Sequence, residues 1–206
     1  MAKRKQNTRD RDATKKALIE AVVSIALRDG LGSLGVNAIA RQAGVDKVLI
    51  YRYFKNLDGL YEAVCAKADL WWNVDEIVEQ IDFANPATAL GSYILAHRQA
   101  LLKRPLALKV LAAEMTDRSP FTVALEKVRE DRGKDLSQRF AARFPEMAGH
   151  GAAVLIMANL LSAATQYLTV RSQDIERFGG MHIRDDDTWI EISQAAKNSV
   201  QGLLAS

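Results

Sequence analysis

The sequence predicts an all-α fold. Apolar residues recur at the helical period in one segment after another. Only 12 glycines and 4 prolines in 206 residues leave room for long helices. No segment alternates apolar and polar residues over the length of a strand. These observations give roughly nine helices. A single cysteine, Cys65, excludes an internal disulfide. The basic N-terminus has no apolar stretch behind it. Both point to a cytoplasmic protein rather than an exported one.

Taken in order, Leu18, Ala21, Val22 and Ile25 stand at i, i+3, i+4 and i+7, with Asp10 or Asp12 placed to cap the first helix. That helix is expected to end in a left-handed cap at Gly30. The stretch "GLGSLG", residues 30–35, fits the G-x-G-x-x-G dinucleotide pattern. The fingerprint needs a preceding strand, and here a helix precedes it, which argues against a nicotinamide-dependent enzyme. Val36, Ile39, Ala40 and Ala43 form one face of a short second helix, and Gly44-Val45 turn the chain. Asp46 can cap a third short helix, "KVLIYRYF". A long helix is expected from Asn56 to residue 82, with Asp58 in its first turn, where the dipole favours an anion. Asn85-Pro86 and Ser119-Pro120 each read as a cap followed by proline at the first helical position. Pro105 divides two further helices, and Pro145 and Gly149 close another. Thr188 and Glu191 have capping-box spacing before the last helix.

Charge is unevenly spread. Residues 1–66 carry 12 Lys/Arg against 7 Asp/Glu, whereas residues 67–206 carry 16 against 18. A basic first third on a nearly neutral body suits an anion-binding head, although a solvated basic tail gives the same balance.

Helix, glycine turn and helix over 36–54 have the spacing of a helix-turn-helix, whose second helix enters the DNA major groove. Small Ala40 and Ala43 let the two helices approach, and Gly44 permits the turn. Val36, Ile39, Val45, Ile50 and Phe54 can form the buried side, leaving Lys47, Val48, Leu49, Tyr51 and Arg52 outside. Residues 30–64 resemble the N-terminal domain of the TetR family of bacterial transcriptional regulators. The resemblance rests on Gly30, Leu34, Val36, Ile39, Ala40, Ala43-Gly44-Val45, Tyr51-x-Tyr53-Phe54 and Leu60. It implies that 47–54 is the recognition helix, that Tyr51 and Tyr53 contact phosphates, and that Asn37 and Arg41 face DNA. Lys47 or Arg52 can read guanine edges. The chain departs from the family pattern at Gly35, where a capping threonine is common, and at Leu49, where a small hydroxyl residue is frequent. Leu57 stands where lysine is common, and Lys55 can substitute. The tail residues Lys3, Arg4, Lys5, Arg9 and Arg11 can reach along DNA or remain a disordered solubilising segment. The implied organisation is a basic tail (1–15), a helix-turn-helix domain (16–62) and a C-terminal ligand-binding and dimerisation domain (63–206).

Residues 151–170 contain no charge. A membrane span is one reading, but Asn159, Ser162, Thr165, Gln166 and Thr169 dilute the segment, and a buried or subunit-shared helix fits better. The family resemblance implies a dimeric four-helix bundle from helices at roughly 150–177 and 186–204. The contact residues would be Leu155, Ala158, Ser162, Ala163, Trp189, Ile192, Ala196, Val200 and Leu203. Candidates for an apolar ligand cavity are Trp71, Trp72, Tyr93, His97, Met115, Phe121, Phe140, Asn159, Gln166 and Tyr167. Asp185, Asp186 and Asp187 fit the start of the last helix better than a metal site, and His97, His150 and His182 lack ligand spacing. No cofactor, metal or catalytic motif is expected. The expectation is a homodimeric regulator, a repressor of a palindromic DNA operator released by a small-molecule effector, with no membrane partner. A regulator without a ligand and a helical membrane or interaction protein are the alternatives.

Overall fold

The structure, a computed structural model, describes residues 2–67, 69–145, 147 and 151–205, with only the helical backbone described at 2–9, 67 and 151. Ten α-helices follow one another among the described residues: α1 (Ala2–Asp29), α2 (Val36–Ala43), α3 (Val48–Phe54), α4 (Leu57–Lys67), α5 (Val74–Val78), α6 (Pro86–Leu102), α7 (Pro105–Glu114), α8 (Pro120–Arg143), α9 (Gly151–Arg171) and α10 (Asp186–Ala205). The chain is all-α, as its periodicity predicts. Gly149 and His150 lie outside the described residues, as do the side chains of Lys3, Arg4, Lys5 and Arg9.

Three expectations are corrected. The helix expected over 56–82 stops at Lys67. Asp69 has φ 46°, Trp71 and Trp72 are buried on non-helical backbone, and Asn73 opens α5 by accepting from Glu76 N–H. Trp71 and Trp72 therefore do not lie on a connecting helix. The helix expected to reach 177 ends at Arg171. A hairpin follows, with β1 (Arg177–Phe178) pairing antiparallel with β2 (Met181–His182). Gly179 and Gly180, at φ 57° and 86°, form its two-residue loop, a conformation L side chains resist. Last, α10 starts at Asp186, so Thr188 sits inside its first turn and does not cap it.

The chain divides into two compact units that do not follow sequence order. The first comprises residues 1–71 and 105–128. Its core takes Leu18, Val22 and Ala26 from α1, Ile39 from α2, Ile50 from α3 and Leu60 and Val64 from α4, all fully buried. Each large aliphatic side chain removed from water in this way contributes about 2 kcal/mol. α7 joins this unit because Lys109 Nζ donates to the Leu27 carbonyl at 2.8 Å and satisfies an open end of α1. Phe121, at the start of α8, meets Tyr61 of α4 edge-on with ring centroids 5.1 Å apart.

The second unit comprises 72–104 and 129–206. Ile94, Leu168, Ile183, Trp189 and Ala196 form its core cluster. Trp189 Nε1 donates to the Ile183 carbonyl at 2.9 Å. Arg98 lies 5.0 Å from the Trp189 ring centre and pairs with Asp186 in the first turn of α10. Gly91 lets α10 approach α6, since a Cβ there would stand 2.5 Å from Lys197 Cε. Arg104 and Glu76 form an ion pair at 2.6 Å that joins α5 to the end of α6.

Candidate nucleic-acid interface and ligand cavity

The turn between α2 and α3 is built by local chemistry. Gly44 has φ 67° and ψ 30°. Its N–H bonds the Arg41 carbonyl at 3.2 Å, and Val45 N–H bonds the Ala40 carbonyl at 3.0 Å. That paired pattern is a Schellman motif, and a left-handed glycine makes it cheap. Asp46 Oδ1 then accepts from Val48 N–H at 2.8 Å and caps α3. Gly35 precedes α2 in extended conformation with no side-chain cap, as its missing side chain requires.

The outward face of α3 follows from the buried one. Ile50 is fully buried, so Val48, Tyr51, Arg52 and Lys55, spaced i, i+3, i+4 and i+7, form an exposed stripe, with Lys47 exposed at its start. Val48 is 60% exposed and Tyr51 52%, large values for an apolar and an aromatic residue in a folded unit. Leu49 and Tyr53 are half-buried, while Asn37 and Arg41 are exposed one turn apart on α2. Two features were not read from the sequence. Arg11 of α1 holds its guanidinium 5.7 Å from the Tyr53 ring centre and Arg52 lies at 5.9 Å, so two cations attend one ring. Gly59 in the first turn of α4 abuts the Phe54 carbonyl, where an added Cβ would lie 2.1 Å from the oxygen. Lys55 links the two helices at φ 71°.

Residues 18–64, which contain the α2–α3 turn, the exposed stripe and Gly59, match the model of the bacterial regulatory proteins of the tetR family. Over this segment the chain is similar to the TetR family. A curated relative, the HTH-type transcriptional repressor SCO4008 of Streptomyces coelicolor, is 32% identical over 93 residues, 45% of this chain and 48% of the relative. The chain thus matches about half the length of that relative. NalD of Pseudomonas aeruginosa, the secondary repressor of the MexAB-OprM multidrug efflux pump, superposes with a TM-score of 0.63 at 17% identity, over 91% of this chain and 96% of NalD. The hemolysin II transcriptional regulator HlyIIR superposes at 0.57 with 16% identity, over 90% and 97%. A TetR-like regulator from Rhodococcus sp. RHA1 gives 0.59 at 16% identity, over 92% and 96%. At these identities the superpositions show a common fold.

The second unit holds a cavity of about 610 Å3 between α6, α8 and α9. Tyr93, Phe140 and Asn159 line it, as do Leu155, Ala158 and Ser162, which were expected at a partner surface. Tyr93 Oη lies 2.9 Å from His97 Nδ1 and 2.8 Å from Ser162 Oγ. Burial pushes the Tyr93 hydroxyl up to about 12. Burial, aided by the nearby Arg129 charge, pushes His97 down to about 3, so both are neutral at pH 7. A groove of about 570 Å3 runs along α1, lined by that helix alone, and encloses nothing.

The other cavity candidates lie elsewhere. Trp71 and Phe121 are packed in the first unit, and Met115 is 57% exposed. Trp72 and His97 are buried in the second unit without lining the cavity, their rings 5.5 Å apart. Gln166 is half-buried away from it, and Tyr167 packs its ring on Phe178 of the hairpin. Among the α10 contact candidates, Trp189, Ala196 and Val200 are buried within their own chain, and Ile192 packs on the same core. α10 packs on α6 and α9 within the same chain. Leu203 is half-buried. On α9, Ala163 is exposed beside Leu155, Ile156 and Leu160, the last 61% exposed. The segment Ala152–Arg171 is long and apolar enough to cross a membrane by length and composition, and only 22% of it is buried. Among the described residues no three His, Cys, Asp or Glu side chains gather as a metal site.

Proposed function

We propose that this chain is a cytoplasmic transcriptional repressor that binds a double-stranded DNA operator as a homodimer and leaves it when a small molecule enters the cavity. The exposed stripe of α3 after the Gly44 turn carries this reading. Tyr51, Tyr53 and Lys55 suit phosphates, as do Asn37 and Arg41 from α2, and phosphate contacts set register. Lys47 and Arg52 suit guanine edges, and Val48 suits a thymine methyl. Arg11, held near Tyr53, adds a cation beside the recognition helix. In this reading the first unit is the DNA-binding domain, and the second serves ligand binding and dimerisation without a cofactor or catalysis.

The partner surface in this reading is the exposed face of α9. Ile156, Leu160 and Ala163 lie on one side of the helix, and an isologous contact with a second copy hides them without a lipid phase. Two-fold symmetry then calls for a palindromic operator. Release passes along α8. That helix carries Phe121, packed on Tyr61 of α4, and also Leu136 and Phe140 of the cavity wall. A ligand that shifts α8 disturbs α4, which follows α3 directly. This route replaces a continuous lever over 56–82, because α4 stops at Lys67. Moving the population from 1:99 to 99:1 takes about 5.5 kcal/mol of preference for the released state.

The test is a gel-shift titration of genomic fragments at several salt concentrations, paired with sedimentation of the free protein. A specific, palindromic fragment bound by a dimer, with affinity falling steeply as salt rises, is the expected result. Failure to select any fragment at moderate salt rejects the reading.

A further inference from the structure

The cavity contains a hydrogen-bond chain that can run in either direction. Ser162 Oγ, Tyr93 Oη and His97 Nδ1 are linked at 2.8 and 2.9 Å, and Ser162 and Tyr93 face the cavity. With His97 Nδ1 bare, Tyr93 donates to it and Ser162 donates to Tyr93, which leaves Ser162 Oγ as an acceptor. With the proton on Nδ1, His97 donates to Tyr93 and Tyr93 donates to Ser162, which frees the serine hydrogen as a donor. The two arrangements differ only in the tautomer of a neutral imidazole and carry no net charge.

The remainder of the wall determines what such an anchor serves. Leu90, Leu136, Phe140, Phe144 and Val154 make it predominantly apolar. The other polar contributors, Ser137, Gln138 and Asn159, are neutral. Among the described residues no Asp, Glu, Lys or Arg lines the cavity. An ionised ligand would lose its hydration here and gain no counter-charge. A volume of about 610 Å3 accommodates a drug-sized molecule.

We propose that the cavity takes an uncharged, largely apolar ligand bearing one neutral polar group, and that Ser162 anchors this group whether it donates or accepts. The proposal rests on the effector reading above for the use of the cavity, and on the side chains alone for its chemistry. It is tested with the full chain by displacement of the neutral fluorophore N-phenyl-1-naphthylamine. Four competitors of matched size are compared: 2-naphthol, a donor; 2-acetylnaphthalene, an acceptor; 2-methylnaphthalene, with neither; and 2-naphthoate, an anion. The naphthol and the ketone should each compete about fivefold better than the hydrocarbon, the gain of one net hydrogen bond. The naphthoate should be at least about tenfold weaker than the naphthol, one unit of log affinity for an unpaired charge. Ser162→Ala should bring the naphthol and the ketone down to the level of the hydrocarbon and leave the hydrocarbon unchanged. Ser162→Thr, which keeps a hydroxyl, should retain the preference and so separates anchoring from packing. Naphthoate binding as tightly as naphthol overturns the proposal. So does a preference for only one of the two polar compounds, or a preference that survives Ser162→Ala. Operator release by gel shift keeps the two readings apart. Release by naphthoate alone leaves the effector role standing and removes this ligand class. The predicted binding pattern without release at saturation supports the cavity chemistry and counts against the release mechanism.

Discussion

Replacing Gly59 by alanine tests how tightly α3 and α4 are joined. In an open helical site this change stabilises a protein by about 1 kcal/mol, through helix propensity and a less flexible unfolded chain. At Gly59 the new Cβ would lie 2.1 Å from the Phe54 oxygen and 3.3 Å from its carbonyl carbon. Both are backbone atoms of the last residue of α3 and cannot rotate away. Relief requires α4 to slide, yet Gly59 N–H is also held by the Asn56 side chain at 2.8 Å, the cap of α4. Overpacking of this kind costs about 1–3 kcal/mol. A weakened cap costs about 1 kcal/mol and roughly cancels the propensity gain. The expected result is a net loss of about 2 kcal/mol, or roughly 4–8 °C in melting temperature for a chain of this size. Gly202 on α10, which has open space around it, is the matched control and should gain about 0.5–1 kcal/mol as alanine. Thermal unfolding by circular dichroism reads both variants, and gel shifts at a temperature where each is folded read the displaced α3. If Gly59→Ala melts at or above the unmodified protein, the account of this junction is wrong.

Lys55→Gly should have effects of opposite sign in two assays. Relieving the positive φ should stabilise the chain by about 1 kcal/mol in urea unfolding, while loss of the cation should weaken DNA binding and lower its salt slope by about one. Arg104→Met leaves the Glu76 carboxylate, only 22% exposed, without its guanidinium; a loss of about 3 kcal/mol is expected, and Glu76→Leu in the same chain should restore most of it. His97 is held neutral in the folded state and takes a proton readily when unfolded, so it destabilises the fold increasingly as pH falls from 6.5 towards about 3. Stability of the unmodified protein relative to His97→Gln should therefore shrink across that window, and a constant difference would contradict the assignment. Leu160→Glu on the exposed face of α9 should convert the dimer to monomer in sedimentation without lowering the melting temperature of the isolated protomer by more than about 0.5 kcal/mol in equivalent stability.

The helix-turn-helix was legible in the sequence because its determinants are local. Gly44 supplies the left-handed residue and Asp46 supplies the cap, each acting within four residues of itself. The break after Lys67 was not legible, since Trp71 and Trp72 extend the apolar pattern of a helix although the chain leaves helical geometry to bury both. A signal was present in Asn73 followed by Glu76, the spacing of a cap and the N–H it accepts from. Gly179-Gly180 likewise announced a two-residue turn that a search for longer strands passed over. The stripe on α10 illustrates a deeper limit. Its period marks a face that must be buried, but Trp189 and Val200 carry no mark of which chain buries them, and here their own does. The cavity was legible only in part because Tyr93 and Ser162 stand 69 positions apart and meet through packing of two helices.

The interleaved order of the two units bears on how the protein is made. A ribosome delivers residues 1–71 first, and these include the whole helix-turn-helix. That segment still lacks α7, and with it Lys109 for the end of α1 and the buried side chains of Leu106, Leu108 and Val110. Phe121 is also still to come, so Tyr61 waits with one side uncovered. All of 72–104, a segment belonging to the other unit, must emerge before these parts arrive. For that interval the nascent segment presents apolar surface that the finished protein hides, and a chaperone would act on that interval. Transplanting residues 1–71 as a self-contained module would make the same exposure permanent, so a graft that keeps the head intact has to carry 105–128 with it.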